Sequence, residues 1–104
     1  MAKLEKMALD AADAAIAALA GWSRQDEKWM QGSYRFSTFP AAIAFVDRVA
    51  EIAEAMNHHP FIAIDYKKVT LRLTTWHAGG LTELDLESAR RYNEIYETSI
   101  PARG

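Results

Sequence analysis

Three histidines, His58, His59 and His77, fall within a span of twenty residues and are the side chains best suited to chemistry in this sequence. Imidazole titrates near neutral pH, so clustered histidines suit proton transfer. His59 directly precedes Pro60, which disfavours helical angles at His59 and holds it in an extended conformation. Two neighbouring histidines that are held differently can keep one proton donor and one proton acceptor in a single pocket.

Carboxylates accompany the histidine pair. Glu54 lies one turn before His58 in a predicted helix, and His58 follows the end of that helix. The charge of Glu54 and the partial negative charge of the helix C-terminus both favour protonated His58. Asp85 has a structural interpretation, because Thr82-Glu83-Leu84-Asp85 is a capping box that opens a later helix. The pattern predicts a histidine–carboxylate pocket for proton transfer on a small molecule that it does not name.

Each of these residues also has a purely structural interpretation. A histidine such as His77 is more often a surface or packing residue, and the pair before Pro60 is as compatible with a structural role as with a catalytic one. Metal binding is disfavoured because adjacent histidines rarely converge on one ion and the sequence has neither an i,i+4 histidine pair nor a cysteine. Trp76 shares a predicted strand face with Arg72 and Thr74, opposite an aliphatic row, so it is a candidate stacking surface for a flat ring.

Length and composition restrict the class of protein. The 104 residues suit one domain, and half of them are hydrophobic while a quarter are charged, which is typical of a soluble globular protein. A net charge of −2 disfavours direct binding to nucleic acid or to an anionic membrane. The alanine-rich stretch near the N-terminus is too short to span a bilayer and unlike a signal peptide, so we expect a cytoplasmic protein. The absence of cysteine excludes disulfides and thiol catalysis.

Periodicity and turn signals predict the elements that position the histidines. The predicted order is α-β-α-β-β-α, with a further short strand possible between Arg24 and Gly32, which indicates an α+β protein with an antiparallel sheet and helices on one face. The first predicted helix covers the first twenty residues and stops at Gly21, before a packed Trp22. A strand from Trp29 to Phe36 and a helix that is capped by Ser37 or Thr38 and ends at Asn57 follow. The last predicted elements are strands from Phe61 to Asp65 and from Val69 to Thr75, and a helix from the capping box to Pro101.

The second predicted helix carries apolar residues on two sides. Its main stripe consists of Phe39, Ile43, Val46, Val49, Ala50, Ala53 and Met56. Phe45 and Ile52 lie off this stripe, and a helix with two apolar sides usually has a second partner. In so small a chain the pattern predicts self-association.

A set of residues at fixed intervals resembles the signature of the pterin-4a-carbinolamine dehydratase family. The sequence reads Glu54, three residues, His58-His59-Pro60, five residues, Tyr66, nine residues, Trp76, eight residues and Asp85. Flanking segments such as Tyr34-Arg35-Phe36, Leu73-Thr74-Thr75 and Gly80-Leu81-Thr82 are also similar, so the resemblance runs from about Trp22 to Glu97.

The resemblance implies a fold and a reaction. The implied fold is a four-stranded antiparallel sheet with three helices packed on one face, in the order α-β-β-α-β-β-α, as one domain over residues 1–104. The implied assembly is a homodimer that extends the sheet, often paired into a tetramer through a helix bundle, with which Phe45 and Ile52 are consistent. The implied reaction is dehydration of 4a-hydroxytetrahydrobiopterin to the quinonoid dihydropterin and water. It needs no metal and no organic cofactor, and it recycles tetrahydrobiopterin for an aromatic amino acid hydroxylase.

The resemblance also implies residue roles. His58 is implied as the acid at the departing hydroxyl, and His59 as the residue that holds the pterin and accepts the N5 proton. Glu54 and Asp85 would orient and polarise these groups, and the remaining substrate-binding residues would be Pro60, Tyr66, Trp76 and His77.

Two positions depart from the family pattern. Many members have a third histidine where this chain has Trp76, although tryptophan recurs there, and indole cannot relay a proton at neutral pH. We therefore expect the two 4a-hydroxyl stereoisomers to be handled unequally. Phe61 is apolar where polar residues are frequent. The rival interpretation is a non-catalytic dimerisation or binding module of the same fold, either a transcription coactivator or a pterin-binding scaffold.

Overall fold

Burial alternates along the two central strands and defines the core face of the sheet. In the computed structural model, which describes residues 4–103 and the side chains of residues 4–98, the strands are β1 (Trp22–Arg24), β2 (Met30–Arg35), β3 (Phe61–Asp65) and β4 (Lys68–Leu73). They form one antiparallel sheet in the order β1-β2-β4-β3. Every second residue of β2 and β4 is buried, because successive side chains of a strand point to opposite faces.

Three helices complete the predicted architecture. They are α1 (Leu9–Ala17), α2 (Phe39–Met56) and α3 (Glu83–Arg103), and a one-turn 3₁₀ helix spans Trp76–Ala78. The element order α-β-β-α-β-β-α confirms the prediction, with β1 as the fourth strand, just before the interval where a short strand was expected. No helix among the described residues is long and apolar enough to cross a membrane.

The first helix is shorter than predicted. It begins at Leu9: the preceding residue, Ala8, is extended, and the Met7 amide donates to the carbonyl of Leu81 at 2.8 Å. The part of the prediction that covers residues 1–3 lies outside the described residues. The predicted stop at Gly21 is wrong, because the helix ends at Ala17 with Ala18 as its C-cap. Gly21 lies in the turn that follows, with a positive φ of 81°, and Trp22 is buried directly after it. At the other end of the chain α3 continues to Arg103, two residues beyond the predicted end at Pro101.

The boundaries of α2 follow the sequence signals. Thr38 is the N-cap, and its hydroxyl accepts the Ala41 amide at 3.1 Å. At the other end Asn57 adopts the left-handed conformation, with φ 51° and ψ 44°, which ends the helix just before the histidines.

The predicted core stripe of α2 is confirmed at Val49 and Ala53 and wrong at the start of the helix. The buried residues are Ala42, Phe45, Val49 and Ala53, and Phe45 is only 2 % exposed. Phe39 is exposed, because it lies in the first turn and its ring approaches Tyr66 rather than the core. Phe45 therefore gives no support to self-association, whereas Ile52 is half-buried at the surface between α2 and α3.

The β3–β4 hairpin carries the histidine pair to an edge of the sheet. Phe61 pairs with Arg72 and Asp65 with Lys68, and Tyr66 forms the turn with a positive φ of 55°. All five residues of β3 are exposed, as befits an edge strand. The strand β4 ends at Leu73 instead of Thr75, because the Thr74 hydroxyl bonds the Lys28 carbonyl and Thr75 pairs with Gly80. Strand parity therefore does not place Trp76, which begins the 3₁₀ helix.

Candidate active site

His58 forms a buried pair with Asp85 across two elements of the fold. The Nε2 atom of His58 lies 2.6 Å from Oδ1 of Asp85, and the two side chains are 10 % and 0 % exposed. His58 is brought there by the left-handed turn at Asn57, after which its amide donates to the carbonyl of Ala53 at 3.0 Å. Asp85 is brought there by the first turn of α3. The end of one helix thus meets the start of another.

Asp85 is held in its orientation by two further hydrogen bonds. Its Oδ2 accepts the Thr75 hydroxyl at 2.7 Å and the Thr82 amide at 3.0 Å, and the two threonine hydroxyls lie 2.9 Å apart. The Leu84 amide donates to the Thr82 hydroxyl at 3.2 Å, so the predicted capping box is confirmed. Oδ1 of Asp85 engages Nε2 of His58, so Nδ1 is the ring nitrogen available to a ligand.

His59 forms a second, exposed pair. Its Nε2 atom lies 2.6 Å from Oε2 of Glu54, and the two side chains are 54 % and 78 % exposed. The prediction that the charge of Glu54 acts on His58 is wrong, because Glu54 pairs with His59. After the left-handed turn at Asn57, His58 lies against α3 and pairs with Asp85. The next histidine, His59, therefore pairs with Glu54, the last carboxylate of α2.

Aromatic side chains lie at the adjoining end of the hairpin. Trp76 is 72 % exposed and follows Thr75, whose hydroxyl holds Asp85. The ring of Trp29 meets Trp76 edge-on, with centroids 5.5 Å apart, and meets Phe61 in the same way at 5.2 Å. The guanidinium carbon of Arg72 lies 4.6 Å from the centroid of Trp29. An exposed indole next to the buried pair is a suitable wall for a flat ring.

The other predicted site residues lie at different distances from the pairs. Pro60 is half-buried between His59 and the start of β3, and His77 is exposed in the 3₁₀ turn beside Trp76. Tyr66 lies just beyond the opposite end of β3, about 20 Å along the strand from Pro60. Its ring faces Phe39, with centroids 6.4 Å apart, so a single chain does not bring it to the histidines.

Sequence reasoning missed Thr75 and Trp29 as neighbours of the site. Thr75 precedes Trp76 in the chain and was predicted only as a strand residue, whereas Thr82 was predicted only as a cap. No sequence pattern indicated that Trp29 lies near the site, because its contacts with Trp76 and Phe61 depend on the pairing of β2 with β4. Within the described part of the chain, no three histidine, aspartate or glutamate side chains converge as metal ligands would.

Comparison with known families places this geometry in context. The family model described as pterin 4 alpha carbinolamine dehydratase matches residues 5–95. The chain belongs to this family. The match includes both histidine–carboxylate pairs, Trp29 and the whole sheet.

Curated relatives of the family are similar over most of their length. A protein of Roseiflexus sp. (strain RS-1) is 49 % identical over 77 residues, which cover 74 % of this chain and 82 % of the relative. A protein of Thermomicrobium roseum is 48 % identical over 87 residues, which cover 80 % of this chain and 92 % of the relative. Both are named "Putative pterin-4-alpha-carbinolamine dehydratase".

Solved structures share the fold. A transcriptional coactivator/pterin dehydratase from Brucella melitensis superposes with a TM-score of 0.84 at 31 % identity, over 88 % of this chain and 99 % of that one. A pterin dehydratase-like protein described as a RuBisCO assembly factor in the alpha-carboxysome superposes with a TM-score of 0.63 at 22 % identity, over 73 % of this chain and 89 % of that one. The second likeness concerns the fold alone.

Proposed function

We propose that this protein dehydrates 4a-hydroxytetrahydropterins, with 4a-hydroxytetrahydrobiopterin as the expected substrate. The observation that carries the proposal is the presence of two consecutive histidines, each with Nε2 fixed 2.6 Å from a different carboxylate. In each ring Nδ1 then remains available to the substrate, so two proton-transfer groups lie on adjacent residues. Membership of the dehydratase family and the names of its relatives support the same reaction.

The reaction needs one proton delivered and one removed. In the proposed mechanism, protonated His58 donates from Nδ1 to the C4a hydroxyl, and the C–O bond breaks as water leaves. His59 accepts the N5 proton at Nδ1, and the electron pair of that N–H bond forms the N5–C4a double bond of the quinonoid dihydropterin. A positioned acid or base contributes roughly 10²–10⁴-fold to a rate.

The burial of the two pairs suits these roles. The buried Asp85 carboxylate holds Nε2 of His58 in a nearly closed environment, where hydrogen bonds and ion pairs are stronger than in water. His59 is open to solvent through its exposed pair with Glu54, so its proton can be returned to water. Each turnover leaves His58 one proton short and His59 with one proton more, so the site is reset when His59 releases its proton to water and His58 takes one up.

The proposal extends to the oligomeric state and the cellular location of the protein. We expect one functional domain over residues 1–104 in the cytoplasm, a homodimer or homotetramer, and recycling of the pterin for an aromatic amino acid hydroxylase. The exposed apolar edge strand β3 supports a dimer that extends the sheet, because an edge strand presents unpaired backbone groups. No metal or organic cofactor is needed for the proposed proton transfers.

The decisive experiment is a dehydratase assay on freshly generated 4a-hydroxytetrahydropterin. His58→Ala and His59→Ala should each reduce kcat by about 10²–10⁴-fold. Glu51→Gln is the matched control for manipulation of the helix surface, since Glu51 is an exposed carboxylate on α2 that takes no part in either pair. Full activity of both histidine variants would refute the proposed mechanism.

Trp76 gives the proposal a stereochemical consequence. The exposed indole can stack on the pterin but cannot relay a proton. Rates should therefore differ between the two 4a-hydroxyl stereoisomers, and Trp76→His should reduce that difference. Equal rates of the wild-type protein on both isomers would contradict this role.

The second candidate function is a binding or dimerisation module without catalysis. It is favoured by the similarity to the Brucella protein, which is described as a transcriptional coactivator/pterin dehydratase. The two candidates are separated by the same assay: a wild-type protein without dehydratase activity that copurifies with a defined partner supports the binding module.

A further inference from the structure

Three side chains beside the site have no part in the mechanism above. Trp29, Phe61 and Arg72, together with the exposed indole of Trp76, form a continuous cluster that we call the aromatic–arginine cluster. Its members come from the loop before β2, from the first residue of β3, from β4 and from the 3₁₀ helix. Such a convergence of four elements on exposed aromatic rings and one guanidinium is a candidate binding surface for part of the ligand.

The cluster is joined to both histidine–carboxylate pairs through the chain. Phe61 is two residues beyond His59, and Trp76 directly follows the threonine that holds Asp85. Trp29 spans the gap between them, because its ring contacts Phe61 on one side and Trp76 on the other. A substrate whose N5 faces His59 would carry its C6 substituent toward this cluster, since C6 is the ring atom bonded to N5.

Arg72 gives the cluster a positive charge with a fixed direction. Its guanidinium carbon lies 4.6 Å from the Trp29 centroid and 6.0 Å from the Phe61 centroid, and its Nε donates to Oε1 of Gln25 at 3.0 Å. Within residues 4–98 its described partner is this neutral amide and not a carboxylate. The terminal nitrogens of a stacked guanidinium are then available for a planar anion, which arginine binds in a bidentate manner.

The exposed rings define the rest of the ligand. Phe61 and Trp76 are large aromatic side chains that are more than half exposed, whereas Trp29 between them is half-buried. An aromatic ring of the ligand can cover Phe61 and approach the guanidinium plane, with a gain from stacking beyond the buried area. The contact distances place the Arg72 guanidinium carbon within about 10 Å of the Trp76 centroid, so a ring and a carboxylate can be held together.

We propose that the aromatic–arginine cluster is a subsite for the C6 substituent of the pterin and favours a substituent with an aromatic ring and a carboxylate. The inference rests on the proposed function for the placement of the pterin. It adds a substrate class, namely pterins with an aryl carboxylate in place of a short alkyl chain.

The test compares two stable dihydropterins as ligands of the full chain. Calorimetric titration with 7,8-dihydropteroate, which carries the aryl carboxylate, should give a Kd at least tenfold lower than titration with 6-methyl-7,8-dihydropterin. Arg72→Gln should reduce that ratio of Kd values about fivefold. Trp29→Leu should reduce it as well, because it removes the ring on which Arg72 is stacked.

Arg35→Gln is the matched control. Arg35 is an exposed arginine on the same outer face of the sheet, at the far end of β2, so the substitution removes the same charge outside the cluster. The ratio of Kd values should stay at the wild-type level in this variant. Thermal unfolding of each variant establishes that the fold is kept.

The possible results separate this inference from the proposed function. Equal Kd values for the two ligands in the wild-type protein, or equal effects of Arg72→Gln and Arg35→Gln, would overturn the subsite even when the dehydratase assay is positive. A preference for 7,8-dihydropteroate that depends on Arg72 supports the subsite even when the assay is negative. If Trp29→Leu alters the oligomeric state in size-exclusion chromatography and leaves the ratio unchanged, the cluster is a subunit interface and the inference fails.

Discussion

The two histidine–carboxylate pairs have the same contact distance but differ in their exposure to solvent. In each, Nε2 lies 2.6 Å from a carboxylate oxygen, yet one pair is almost closed to solvent and the other is largely open. The buried carboxylate has additional donors from Thr75 and Thr82, whereas the described contact of the exposed Glu54 carboxylate is with His59.

This contrast shows that contact distance alone does not measure the importance of an ion pair. An exposed pair is worth about 0–1 kcal/mol, because water solvates both charges and the side chains lose entropy on pairing. Removing one partner of a buried pair costs roughly 3–5 kcal/mol, because the remaining charge cannot return to water. The His58–Asp85 pair should therefore support both the fold and the reaction, and the His59–Glu54 pair chiefly the reaction.

Removal of the buried carboxylate should give the largest effect. Asp85→Ala leaves His58, the Thr75 hydroxyl and the Thr82 amide without their acceptor, so the free energy of unfolding should fall by about 3 kcal/mol. Urea denaturation measures the loss, and Glu83→Ala, in the same helical turn but exposed, is the control. A loss below about 1 kcal/mol would show that the two pairs are energetically alike.

Removal of one supporting hydroxyl should give an intermediate effect. Thr75→Val keeps the shape of the side chain but leaves Oδ2 of Asp85 without one of its donors, so unfolding free energy should fall by about 1.5 kcal/mol. The value of kcat should fall as well, because Asp85 can then turn away from His58. Thr70→Val, on the outer face of β4, serves for comparison. A change in neither quantity would mean that Asp85 is oriented by its cap alone.

Neutralising the exposed partner should barely affect stability. Glu54→Gln should lower the unfolding free energy by less than about 1 kcal/mol, and the control Glu51→Gln should do the same. Its kcat should nevertheless fall about tenfold, which corresponds to about 1.4 kcal/mol of lost orientation of His59. A stability loss as large as that of Asp85→Ala would contradict the assignment of the two pairs to different tasks.

Salt should give the smallest effect and act on one pair only. At 1 M ionic strength the Debye length is about 3 Å, so the exposed pair is screened while the buried pair is not. Activity of the wild-type protein should decline modestly with salt, and that of Glu54→Gln should be insensitive. Rate measurements at a range of NaCl concentrations check this, and equal salt sensitivity of the two proteins would count against it.

Features set by local chemistry were predictable from the sequence. The Thr38 cap, the left-handed Asn57 and the capping box at Thr82 all depend on neighbours within four residues, and the structure confirms each of them. The order of strands and helices followed from the same signals, and the full four-stranded arrangement from the family resemblance.

Features set by long-range packing were not predictable in this way. The start of the predicted α2 core stripe was wrong because periodicity counted Phe39 as core, although Phe39 belongs to the exposed first turn. Glu54 was assigned to the wrong histidine because the left-handed conformation of Asn57 changes the direction of the chain at His58 and His59. Trp29 reaches the site only through the register of β2 with β4, which no local pattern encodes.

The double role of Asp85 also provides a reporter. The Thr82 amide donates to the same carboxylate that engages His58, so its proton is protected only while the first turn of α3 is closed. Hydrogen exchange at this one amide should follow the opening of the helix terminus directly. Any condition that speeds its exchange should inactivate the proposed site well before the sheet unfolds.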